Sequence, residues 1–365
     1  MHIHRMLRKY IIDRKTGNIV VARSRKIMQF SVDFFVNRIA GGHYCFICGL
    51  PDATVSFTEE HVIPKWVTRH FGTEKSHLIL HNGGRLSHSR YTIPCCTKCN
   101  NYLSEALEKP VSSLLKFKYD ELSAAIDNDQ TIYSLLFQWC ALIFFKMHLK
   151  DKFLPKSKDP RTNGGVIGEL HAWESLHQVL TMARINYTGA IAEPDVYGSI
   201  IILPRITESK ELFDYLDSSA AHTMMIQVGE IVIFAVLNDG KACLALYETF
   251  LSQIDGPMTE IQCRELFARL RYVNDNLKIR PRLKAFVTRR NEFKLQAIRP
   301  WRFELYPEGE ERVSLFSLMR RYVGELVPNI PERDQILSDL ENGKAQYILD
   351  CEGKFFQHGD KSGVK

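Results

Sequence analysis

The chain has 365 residues, of which 45% are hydrophobic and 25% charged, and a formal net charge of +6. This balance excludes a disordered or fibrous chain and suits a globular protein of two domains, or of one domain with a small metal module. Nine cysteines would fit a secreted disulfide scaffold. However, the start, Met1-His2-Ile3-His4-Arg5, lacks the apolar core of a signal peptide, so a reducing cytoplasm is the expected setting.

Residues 1–40 carry nine Lys/Arg against two Asp/Glu, so their local surplus exceeds that of the whole chain. Tyr10-Ile11-Ile12 and Ile19-Val20-Val21, joined through Thr16-Gly17-Asn18, read as a basic hairpin. Such an arm can lie on a phosphate backbone. The alternatives are a solvated hairpin or a translation start at Met28.

Residues 41–110 hold five of the nine cysteines, and the other four, Cys140, Cys243, Cys263 and Cys351, are scattered. Cys45-Phe46-Ile47-Cys48 and Cys96-Thr97-Lys98-Cys99 are two Cys-x-x-Cys pairs. Each can put two thiolates on one cation, and the four together complete a tetrahedral structural zinc site. Gly49, Leu50 and Pro51 suit a tight knuckle after the first pair. Asn100 to Glu108 has a helical pattern expected to end before Pro110. Between the pairs, Val55-Ser56-Phe57-Thr58 alternates like a strand entering Glu59-Glu60-His61. The insertion from His70 to His88 is expected to be a loop.

Glu60-His61-x-x-Pro64 between two Cys-x-x-Cys pairs, with Asn100 directly after Cys99, resembles the HNH endonucleases of the four-cysteine, treble-clef type. The resemblance covers about residues 43–110. It implies a zinc-stabilised ββα-metal fold with His61 as general base, and Glu60 and Asn100 as ligands of a catalytic divalent metal. The residue types suit that chemistry. An unperturbed histidine titrates near neutral pH and can deprotonate water, and a hard ion such as Mg2+ prefers carboxylate and amide oxygens. Strict alternation along the strand, however, puts Glu59 rather than Glu60 on the face of His61.

Residues 111–350 read as a larger C-terminal α+β domain, with 351–365 as a loose tail. The apolar stretch within 131–149 is expected to be a buried central helix, too short to span a membrane and interrupted by Gln138. Strands are expected at 179–185, 197–203, 223–228, 231–237 and 241–247. The last three, separated by Gly229-Glu230 and Asn238-Asp239-Gly240, suggest an antiparallel meander. Helices are expected at 260–272, 312–326 and 332–341. The stretch from Lys278 to Arg302 includes Arg280, Arg282, Arg289 and Arg290 interleaved with Phe286, Phe293 and Trp301. Such a mixture can contact phosphates and bases.

The expectation is an α+β protein with a zinc-stabilised nuclease module. It would hydrolyse phosphodiester bonds of nucleic acid, taken to be DNA, using structural Zn2+ and a catalytic Mg2+-like ion, with no membrane partner. The alternative is a non-catalytic zinc module that binds nucleic acid, the C-terminal domain serving assembly or partner recognition.

Overall fold

A computed structural model of the chain describes residues 9–73, 77–79, 82–157, 159, 161, 164–207, 212–307 and 309–357. The chain is mixed α+β and divides into two compact units, each assembled from separated stretches. The first comprises Met1–Leu114, Ser134–Tyr197 and Arg282–Ile298; the second comprises Leu115–Tyr133, Gly198–Pro281 and Arg299–Lys365. Instead of a division near residue 110, the cysteine-rich stretch shares a body with segments far along the chain.

In the first unit, β1 (Tyr10–Ile12), β2 (Ile19–Val21) and β3 (Ile27–Gln29) form an antiparallel meander, with Tyr10 opposite Val21. The basic hairpin is therefore present, with a third strand that three residues of sequence could not announce. Met28 is buried within that strand. β4 (Phe57–His61) is followed by a short helix, α1 (Lys65–His70), and a small hairpin of β5 (His77–Ile79) and β6 (Arg85–Ser87). The insertion read as a loop thus has structure of its own.

β7 (Thr92–Cys96) pairs antiparallel with β4, from Phe57 opposite Cys96 to His61 opposite Thr92. It runs directly into α2 (Thr97–Leu103), for which Cys96 is the N-cap. This helix does not end before Pro110. It widens into a π-turn at Ser104–Glu108 and continues through Lys109–Leu114. Proline lacks a donor and crowds the preceding turn of an α-helix, and it is tolerated here at the second residue after the register change.

The central helix α3 (Thr131–Asp151) has 21 residues. It is long and apolar enough to cross a membrane by length and composition, contrary to the expectation of a run too short to do so. Yet 78% of its most apolar stretch is buried inside the fold. Every residue from Trp139 to Lys146 is wholly buried, as expected of a core helix that is apolar all round. The expected strand at 179–185 is instead the end of α4 (Trp173–Ala183) and a further helical turn. Leu176, His177 and all of Val179–Ala183 are buried; Leu176, Val179, Leu180 and Ala183 follow the i, i+3, i+4, i+7 spacing of a helix, which the near-continuous apolar run from Val179 to Ile185 obscures. The strands Arg282–Val287 and Phe293–Ile298 form a hairpin, and the second pairs in parallel with Ile191–Ala192.

The second unit contains the meander. Strands Phe213–Ser218, Thr223–Val228, Ile231–Val236 and Ser199–Pro204 lie side by side in that order, all antiparallel. Helix Glu260–Asp275 starts with a Thr259/Gln262 capping box. Its Leu266, Phe267 and Leu270 share a buried cluster with Phe234 and Val236. Residues 241–247, expected as a strand, form the helix Ala242–Leu246. Buried Asp239 accepts from Cys243 N at 2.8 Å and from Ser199 Oγ at 2.6 Å, so a residue read as part of a hairpin turn is the polar anchor of a helix start. The expected tail is ordered at least to Phe356, whose carbonyl accepts from Gln262 Nε2 at 2.8 Å. Residues 358–365 lie outside the described residues.

Candidate metal centre and the strand beside it

The first cysteine pair lies in a closed knuckle. Gly49 N donates to Cys45 O and Cys45 N to Leu50 O, both at 2.8 Å. Gly49 has φ +75°, and a Cβ there would lie 2.7 Å from the Phe30 ring, so only glycine closes this turn without strain. The second pair is delivered by Cys96 at the N-cap of α2 and Cys99 in its first turn. The sulfurs of Cys45, Cys48, Cys96 and Cys99 all lie within 4.8 Å of one another, and those of Cys48 and Cys96 are 3.7 Å apart. Thiolates about 2.3 Å from a tetrahedral ion would be roughly 3.8 Å apart. The four can hold a metal ion such as zinc.

Their electrostatics favour the same use. The Cys45 thiolate accepts from the thiols of Cys48, Cys95 and Cys99, which drives its pKa down. Bonding to Cys45 pushes Cys48 up to about 12 and drives Cys99 well upward. A coordinated divalent cation would stabilise the thiolate form of such a set. Arg184, wholly buried, backs the knuckle. Its Nε donates to Ile47 O at 2.8 Å, its Nη2 to Ile27 O at 2.9 Å, and its guanidinium lies 3.9 Å from the centre of the Phe30 ring. Burial lowers its pKa to about 10, and attraction to Tyr187 first, then to Cys45, Cys48 and Cys99, opposes that shift. A fifth thiol, Cys95, lies outside the set, with its sulfur 3.9 Å from that of Cys45.

β4 distributes its polar residues over two faces. Glu59 is exposed and accepts from Thr92 Oγ1 at 2.5 Å. Thr92 is opposite His61 in the ladder, so Glu59 and His61 share a face, as alternation requires. His61 is half-buried, and its pKa is lowered by desolvation and then by the charge of Lys65. Glu60 turns inward and is 6% exposed. Lys146 of α3, wholly buried, donates to Glu60 Oε1 and to the backbone carbonyl of His61, both at 2.6 Å, with Glu108 Oε1 at 3.7 Å. Asn100 donates through Nδ2 to Thr58 Oγ1 at 2.9 Å.

The implied divalent-metal ligands therefore do not converge on a vacant cation position. The Glu60 carboxylate is already neutralised by a buried ammonium, and a second cation at the same oxygen would repel it at close range. Glu60 and Asn100 do not fit a shared Mg2+ as they stand, and the buried ion pair is the physical reason.

The chain matches no protein-family model, no curated protein and no solved structure.

Three charged residues that sequence reasoning passed over shape this region: Arg184, Lys146 and Glu108. The one available signal was Lys146 itself, a lysine directly after a run of core residues in a central helix. Glu108 gives a testable pH effect. Burial first, then the neighbouring Glu60 carboxylate, raises its carboxyl to about 7 against the opposing pull of Lys146. A carboxyl raised in the folded state binds its proton more tightly there than in the unfolded chain. Its contribution to stability is thus full at low pH and lost as pH rises from about 4.5 to about 7. Glu108→Gln should flatten this part of the melting-temperature profile relative to the unaltered protein; parallel profiles would refute the assignment.

The basic residues divide between the two units. Arg280, in the second unit, donates through Nη2 to Asn274 O at 2.6 Å. Arg282, Lys284, Arg289 and Arg290, in the first, are exposed along one strand and turn of the hairpin.

Proposed function

We propose that the cysteine-rich part of the first unit is a zinc-stabilised module of the HNH, treble-clef kind that hydrolyses nucleic-acid phosphodiester bonds, DNA in the first instance, with His61 as the general base. The observation that carries this reading is the state and position of that imidazole. It ends a strand held against the four-thiol centre, and desolvation together with Lys65 keeps it neutral near pH 7, the form that accepts a proton from water. Lys65 supplies positive potential beside the attacking hydroxide and the phosphate. Lys146, through the His61 carbonyl, fixes the end of the strand. No step is assigned to a Mg2+ ion on Glu60 and Asn100.

A second reading, a zinc module that binds nucleic acid without cutting it, is favoured by the burial of Glu60 against Lys146. The two are separated by incubating purified full-length protein with supercoiled plasmid and with single-stranded RNA, with and without added Mg2+ or Mn2+. Nicking or fragmentation is expected. Intact substrate in every arm would leave the binding module in place of the nuclease.

Both readings use the exposed basic hairpin to neutralise phosphates. Replacing Arg282, Lys284, Arg289 and Arg290 together by glutamine should reduce the slope of log affinity against log salt, by up to about 0.9 for each duplex phosphate that is no longer neutralised. An unchanged slope would make the hairpin a solvated face only.

A further inference from the structure

Residues 41–44, 92–94, 149, 150 and 152–154 of the first unit line an open cavity of about 410 Å³, within the range that takes a small organic ligand. Most of its lining is apolar, from Ile93, Leu149, Phe153 and Leu154 among others. The wall also includes Lys152. This residue is 5% exposed, and its Nζ has no hydrogen-bond partner among the described residues. Its nearest compensation is the face of the Phe153 ring, 4.3 Å away. Desolvation pushes its pKa down to about 8. Gly42, at φ +93°, packs beside the ammonium, where a Cβ would lie 3.6 Å from Nζ.

An ammonium held out of water without a partner is costly, and a rotation of the Lys152 side chain into the cavity, to meet an anion there, would offset that cost. Other polar groups share this wall. Lys150 and the exposed His43, which faces Asp52 at 3.3 Å, belong to the lining. Glu59 is engaged from the cavity side by Thr92. Thr92 also stands opposite His61 in the ladder, so the cavity adjoins the strand pair that carries the imidazole. Phe153 is 69% exposed and offers a ring face for stacking, which favours a base without demanding a particular one.

We propose that this cavity is a nucleotide subsite, in which Lys152 takes a phosphate and the Phe153 ring with the apolar wall takes the attached nucleoside. The identity of the ligand as a nucleotide rests on the nucleic-acid reading above; the need for an anion rests on Lys152 alone. The nucleotide comes either from the substrate strand or from the free pool.

The test is calorimetric titration of the full-length, zinc-loaded protein, at about 50 mM salt where phosphate binding is strong. The probes are thymidine 5′-monophosphate, a five-residue thymidine strand, thymidine and inorganic phosphate. Lys152→Met keeps the length of the side chain and removes a buried charge, so it should melt no lower than the unaltered protein. It is expected to weaken binding of the monophosphate and the strand at least tenfold. Phe153→Ala, at an exposed position, should weaken both severalfold and leave inorganic phosphate unchanged. A strand that binds more tightly than the monophosphate points to substrate, and equal affinity points to a free nucleotide. Unchanged binding in Lys152→Met, or no binding of either nucleotide probe by the unaltered protein, would overturn the proposal. Lys152-dependent binding by a protein that never cleaves would remove the nuclease reading and leave the subsite. Cleavage with Lys152-independent binding would do the reverse.

Discussion

Cys45→Ser is expected to release one zinc ion per chain and unfold the knuckle together with the start of α2, leaving the second unit folded. The four sulfurs lie within 4.8 Å of one another, so a shared ion would join the knuckle to that helix end. Structural zinc bound by thiolates contributes an apparent ~10–16 kcal/mol in small zinc-finger peptides at pH 7. Here α3 and α4 supply a core of their own, so the loss should be local rather than global. Amide exchange should accelerate over residues 43–50 and 96–103, while the strands Thr223–Val228 and Ile231–Val236, buried throughout, keep their protection. Chelation of the unaltered protein should reproduce the pattern, and restored zinc should reverse it. Zinc-free protein with full protection over both cysteine pairs would show that the cluster needs no metal.

His61→Ala is expected to reduce cleavage by about 10²–10⁴-fold, the usual cost of losing a general base, with zinc content, melting temperature and nucleic-acid affinity unchanged. The pH profile of the unaltered protein gives an independent check. Desolvation and Lys65 lower the imidazole pKa, so activity should be level around neutral pH and fall only below the ordinary histidine value of about 6.5. Glu59→Gln removes the one carboxylate on the same face and should lower the inflection further, because Glu59 raises the His61 pKa. Cleavage by His61→Ala at the unaltered rate would end the nuclease reading.

What could be read from the sequence follows from how local each signal was. The two Cys-x-x-Cys pairs, the hairpin through Thr16-Gly17-Asn18 and the capped helix after Thr259 were legible because a few adjacent residues set each of them. The expected strand at 179–185 failed because a short apolar run does not by itself separate strand from helix, and the one at 241–247 because a distant packing choice buries Asp239, which accepts from Cys243 N at a helix start. The Glu59–Glu60 question was legible as alternation, but the fate of Glu60 was not. Its partner Lys146 is 86 residues away, and no local pattern marks a lysine that will be wholly enclosed. The Lys152 cavity was hidden for the same reason, being assembled from three distant stretches.

The first unit is closed by Phe293–Ile298, which lies in parallel beside Ile191–Ala192, while its first stretch ends at Leu114. A ribosome adding roughly 5–20 residues per second takes on the order of ten to forty seconds to travel from one to the other. Throughout that interval the nascent knuckle can capture its ion, since both cysteine pairs emerge early, but the body around it is incomplete. Metal capture would then precede the later docking, so cells starved of zinc during synthesis should accumulate this chain with a protease-sensitive knuckle that zinc added afterwards restores.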